Sequence, residues 1–106
     1  VVAVSRLIKF MDPEEFREEL RRRGITELRR DYIRRTRKEW SAGYLVLTAE
    51  KDGTIYRHEV LLIVEHAALW DSDYVQERCQ KRREKAEEWL RQFFQGFTIR
   101  PGIIVR

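Results

Sequence analysis

Thr26–Trp40, TELRRDYIRRTRKEW, is the stretch whose reading decides the fold. As a helix capped by Thr26 it places Leu28, Tyr32, Thr36 and Trp40 on one stripe, four residues apart. The other faces are nearly all charged, so the stripe is thin and packing adds little to helix stability. The competing reading is an edge strand around Tyr32–Trp40, where alternating Arg and Lys would discourage sheet-to-sheet association. The helix is the preferred reading.

Upstream, Asp12-Pro13-Glu14-Glu15 is a helix start. Asp12 can cap, Pro13 suits the first helical position, and Glu15 stands three residues after the cap. Phe16 and Leu20 then give one apolar stripe, and Gly24 after Arg21-Arg22-Arg23 marks the stop. Val1–Phe10 is β-branched and aromatic and reads as the first strand; its opening VVAV is apolar on both faces, as in a strand covered on both sides.

Downstream, Ser41-Ala42-Gly43 is a short break. Tyr44–Ala49 and Thr54–His66 read as a hairpin turning at Asp52-Gly53, which sets Leu45 opposite Val60 and Leu47 opposite His58. Asp71 or Ser72 caps a long last helix carrying Val75, Cys79, Arg82, Ala86, Leu90 and Phe93 at steps of three and four, up to Gly96. Phe97–Arg100 and Ile103–Val105 form a final strand interrupted by Pro101-Gly102; proline cannot donate to a ladder, so an edge or a bulge is expected there.

The expected fold is a single α+β domain over residues 1–106, a small antiparallel sheet with helices on one face. Its order is β-α-(α)-β-β-α-β, which without the second helix is the split arrangement of ferredoxin-like folds. The opening VVAVSRLIKFMDPEEF also resembles the start of dimeric ferredoxin-like α/β-barrel domains, over about a sixth of the chain; no residue role is carried over from it. Residues 13–38 with the following hairpin resemble a winged helix-turn-helix. Leu20 departs from that pattern, because it stands where the tight helix crossing wants a small residue.

Composition narrows the function classes. Charged residues make up 38% of the chain and apolar ones 42%, against an average charged fraction of about 25%. Residues 1–106 show no secretory-signal pattern and no apolar run near the roughly 18 residues of a membrane span. Cys79 is the only cysteine, so no intramolecular disulfide is possible, and a reducing, cytoplasmic compartment is expected. No P-loop, glycine-rich dinucleotide turn or zinc-spaced Cys/His set is present, so no cofactor and no metal are expected.

The net charge of +4 is unevenly placed. Residues 17–38 hold ten Lys and Arg against four acids, a local +6, and the remainder of the chain carries −2. Such asymmetry points to an anionic partner, DNA or RNA. On a helix, Arg29, Arg30, Arg34, Arg35, Arg37 and Lys38 would follow a phosphate backbone, with Tyr32 and Trp40 as stacking surfaces. The bland alternative is a solvated face whose charges pair locally with Glu27, Asp31 and Glu39.

Two other functions compete. One is an assembly module, a homodimer or protein partner joined through the edge near Ile103–Val105 and the aromatic end of the last helix. The other is a small phosphodiester-cleaving enzyme using Glu65 or a histidine. His58 and His66 are eight residues apart, on one face of an unbroken strand and about 26 Å from each other, too far to form one site. Cys79 on an apolar helix stripe reads as a buried, inert thiol.

Overall fold

The computed structural model describes residues 5–106; Val1–Val4, on which the expected start of the first strand falls, lie outside the described residues. Five strands, two α-helices and one short 3-10 turn follow in the order β1 (Arg6–Phe10), α1 (Pro13–Arg22), β2 (Glu27–Arg37), β3 (Trp40–Lys51), β4 (Thr54–His66), the 3-10 turn Ala67–Leu69, α2 (Asp73–Phe93) and β5 (Thr98–Ile104).

Local chemistry explains the ends of these elements. The Asp12 carboxylate accepts the Glu14 N–H at 2.8 Å, with Pro13 at the first helical position. The Ser72 hydroxyl caps α2 by accepting the Val75 N–H at 3.3 Å. Between β3 and β4, Lys51 pairs with Thr54 across a two-residue turn in which Asp52 and Gly53 have φ of +52° and +77°. Positive φ at both central residues matches the turn to the right-handed twist of the strands. Leu45 opposite Val60 and Leu47 opposite His58 are observed as expected.

The α+β class holds, with both helices on one face. Phe16 and Leu20 of α1 and Ala86 and Leu90 of α2 share one core cluster with Leu28, Tyr32, Leu45, Leu47 and Tyr56 of the sheet. Each such Phe or Leu contributes about 1.5–3 kcal/mol by its burial. The sheet is not the expected antiparallel one. It is mixed, ordered β1-β4-β3-β2-β5, with β1–β4 and β2–β5 parallel and β2–β3–β4 an antiparallel meander. The order also departs from a ferredoxin-like sheet, because the first and last strands occupy the two outer edges.

The cause lies in residues 26–40. They do not form the expected helix; Glu27–Arg37 is a strand, and it is interior, flanked by β3 and β5. The likeness to a helix-turn-helix ends with that second helix. Leu28 and Tyr32 are buried toward the helices, and the alternate positions on that face, Arg30 between them and Arg34 beyond, find partners there. Pro101 lies as expected in an edge strand, where β5 is irregular.

A bulge sets the second half of β4. Tyr44 pairs with Leu61 but Gly43 pairs with Ile63, so Leu62 is an extra residue. Side chains beyond it exchange faces. His58 therefore points into the core opposite Leu47, whereas His66 pairs with Trp40 on the opposite face, contrary to the expectation for an unbroken strand. The fold measures 42 × 37 × 21 Å, thin enough for one sheet and one helix layer. Among the described residues no helix covers the other face of the sheet.

Candidate functional site

The six basic residues singled out in the sequence do not share one surface. Strand geometry sends alternate side chains to opposite faces. Arg30 and Arg34 point toward the helix layer. Arg30 forms an ion pair with Glu87 of α2, which also accepts the Tyr32 hydroxyl proton at 2.6 Å. Burial and that carboxylate hold the Tyr32 phenol protonated, far above its usual range. The Arg34 Nε donates to the Ser41 Oγ at 3.1 Å, and its guanidinium lies 4.8 Å from the Trp70 ring centroid. Arg29, Arg35 and Arg37 face the bare side, and Lys38 sits in the β2–β3 turn with φ of +56°. As a basic helical surface the set does not exist.

The register of the bare face brings together a different set. Lys9 pairs with Arg57, Arg57 with Thr48, Thr48 with Arg29, and Arg29 with Arg100. One row across all five strands thus carries four cations and a hydroxyl, with no carboxylate in it. Its length is about 19 Å at the usual strand spacing. Like charges directly opposite each other destabilise a sheet, so this row costs the fold free energy.

Carboxylates in the rows on either side offset part of that cost. Asp31 accepts from Arg29 Nε at 3.1 Å, Glu27 from Arg100 Nε at 3.0 Å, and Glu59 lies 3.1 Å from an Arg57 terminal nitrogen. Arg35 also clamps Glu59 through both terminal nitrogens, its guanidinium 4.6 Å from the Tyr44 ring centroid. The Arg35 hydrogen bond above all, with the charges of Arg35, Arg57 and Lys9, holds the Glu59 carboxyl below the usual range. The pairs made by Arg29 and Arg100 use Nε, and among the described residues their terminal nitrogens make no hydrogen bond or ion pair. The Arg57 Nε is buried and has no hydrogen-bond partner among the described residues.

A groove of about 580 Å³ runs along this row, lined by Arg29, Arg57, Arg100, Thr48, Glu27, Glu50 and Ile55 among others. A second hollow of about 370 Å³ continues it past Arg29 and Arg100 to Pro101 and Gly102. Gly102 leaves room for this pair: a Cβ there would overlap the Asp31 Oδ1 and stand 2.6 Å from the Arg29 Nε, so the two side chains would have to shift. Asp31 also accepts the Ile103 N–H at 2.8 Å, so it fixes the irregular part of β5 and Arg29 together. Toward the β2–β3 turn the face becomes apolar, with Leu61, Val64 and Trp40 about half exposed.

This chain matches no protein-family model, no curated protein and no solved structure.

The candidate acid–base groups have structural partners. The His58 Nδ1–H donates to the Phe10 carbonyl at 3.0 Å and the ring stacks on Phe16. The His66 Nδ1 accepts the Ala68 N–H at 3.1 Å, capping the 3-10 turn. Glu65 pairs with Arg78 of α2 at 2.9 Å. Cys79 is buried, and burial pushes its thiol pKa up, away from reactivity. Among the described residues no three His, Cys, Asp or Glu side chains form a metal-binding group, and no helix is long and apolar enough to cross a membrane.

The sequence reading found Arg29, Arg35 and Arg37 but missed Lys9, Thr48, Arg57 and Arg100 as members of the site. The hairpin register, readable from Asp52-Gly53, already implied that Thr48 and Arg57 are neighbours. The other members are separated by up to 91 positions, from Lys9 to Arg100, and come together only through the pairing of β1 and β5.

Proposed function

We propose that this domain binds nucleic acid through the bare face of its sheet, with the phosphate backbone lying along Lys9, Arg57, Thr48, Arg29 and Arg100. The observation that carries the reading is the row itself: four cations and a hydroxyl in register across five strands. A polyanion laid there relieves the repulsion between neighbouring cations. Arginine forks match phosphate oxygens bidentately, and Thr48 adds a neutral donor. Arg35 reaches the side of the track through Glu59, whereas Arg37 lies at the far end of β2 opposite Trp40; Arg30 and Arg34 act in the fold and not in binding.

The test is fluorescence anisotropy with a mixed-sequence single-stranded oligonucleotide at low salt, using wild type and the charge-reversed pair Arg29→Glu, Arg57→Glu. Binding that the pair abolishes is expected. Absence of binding to wild type, or equal binding by the pair, overturns the reading.

A second reading, self-association, is favoured by the half-exposed Ile103, Ile104 and Val105 at the β5 edge. Light scattering separates the two: a dimer dissociated by Ile103→Lys, with no affinity for oligonucleotide, supports assembly instead.

A further inference from the structure

We infer that the groove on the cation row selects bases carrying an exocyclic amine, cytosine above thymine or uracil. The inference rests on the nucleic-acid reading above and adds to it a base preference. The two walls of the groove differ in chemistry. Arg29, Arg57 and Arg100, with Thr48, form one wall. Two residues further along the same strands, Glu50 pairs with Ile55 and Ile55 with Leu7 in the adjacent row.

That second row lies about 7 Å from the first, so a single nucleotide spans both walls. Its phosphate meets the cations while its base meets Ile55 and Glu50. Ile55 offers an apolar surface to the face of the base. Glu50 is exposed, lines the groove and has no ion-pair partner among the described residues. Its neighbour Glu27 is already engaged by Arg100.

An ionised carboxylate only accepts hydrogen bonds. It therefore pairs with the N4 amine of cytosine and is opposed by the O4 carbonyl that thymine and uracil present at the same position. Selection by Glu50 needs an unpaired base whose edge is free. That places the ligand among single strands, in keeping with a face that presents no helix to enter a duplex groove.

The experiment compares length-matched oligo-dC and oligo-dT on the full chain by anisotropy, for wild type, Glu50→Gln and the pair Arg29→Gln, Arg57→Gln. Wild type is expected to prefer oligo-dC by on the order of tenfold. Glu50→Gln, whose amide also donates, is expected to remove that preference while keeping the affinity for oligo-dT or raising it. The arginine pair is expected to weaken both ligands alike. Equal affinity of wild type for the two homopolymers, or a preference unchanged in Glu50→Gln, overturns the base selection and leaves the phosphate track standing. Loss of all oligonucleotide binding by wild type overturns the track as well. Circular dichroism of each variant confirms that the fold is kept.

Discussion

If the phosphate backbone lies along the cation row as proposed, removing two charges from its middle is expected to change the salt dependence of binding by a calculable amount. Each phosphate neutralised on a single strand contributes about −0.7 to the slope of log K against log salt. Four contacts from Lys9, Arg57, Arg29 and Arg100 give a slope of about −2.8, or a loss of affinity of about 50-fold between 50 and 200 mM salt. Arg29→Gln with Arg57→Gln leaves two contacts, a slope of about −1.4 and a loss of only about sevenfold. The fold is expected to tolerate the pair, because Glu59 keeps Arg35 and Asp31 keeps the Ile103 N–H. Anisotropy titrations over a salt series measure the slope directly. Lys81→Gln with Lys85→Gln, on exposed positions of α2, is the control and is expected to keep the wild-type slope. A steep slope that the arginine pair leaves unchanged refutes the reasoning, since the phosphates would then be held elsewhere.

Three further outcomes follow from the same geometry. Glu59→Gln removes a carboxyl whose folded pKa is depressed; such a group contributes stability above its unfolded pKa and loses it as pH falls through the folded value. The variant is expected to be less stable at neutral pH, to lose less stability on acidification, and to bind oligonucleotide more tightly because Arg35 and Arg57 are released; denaturation at two pH values and anisotropy check this. Gly102→Ala forces a Cβ onto the Asp31 carboxylate and is expected to cost about 1–3 kcal/mol, read as a lowered Tm, and to weaken binding through displaced Arg29. Glu87→Ala leaves Arg30 without its ion pair and the Tyr32 hydroxyl with only the Arg83 carbonyl at 3.5 Å, and is expected to cost about 1–3 kcal/mol by chemical denaturation without altering oligonucleotide affinity, because Glu87 lies behind the sheet.

Much of the fold was legible where a residue type admits one backbone answer. Asp12-Pro13, Asp52-Gly53 and Ser72 stand where their chemistry requires, and Pro101 lies in an edge strand. TELRRDYIRRTRKEW was misread for a geometric reason. A spacing of four is close to one helical turn, but it is also an even number, so Leu28, Tyr32 and Thr36 share a face in either conformation. The discriminating positions were Arg30 and Arg34, which a strand must also turn inward. Their partners, Glu87, Ser41 and Trp70, lie 57, 7 and 36 residues away from the arginine each one meets, and no local pattern announces them. The histidine faces failed for a similar reason: one inserted residue, Leu62, reverses the phase of everything after it. The site itself was the least legible part, because a row across a sheet is a property of register among strands far apart in the chain.

That row has its two ends in the strands that lie outside the meander. Residues 27–66 hold Arg29, Thr48 and Arg57 in a continuous antiparallel unit whose contacts are local, whereas Lys9 and Arg100 arrive only when each outer strand docks beyond a helical crossover. Fraying of either rim would therefore shorten the track from its ends while sparing its middle. If a long anion lies along the row as proposed, its affinity is expected to report on whether the whole sheet is closed, and such a ligand is expected to act as a clasp between the extremities of the domain.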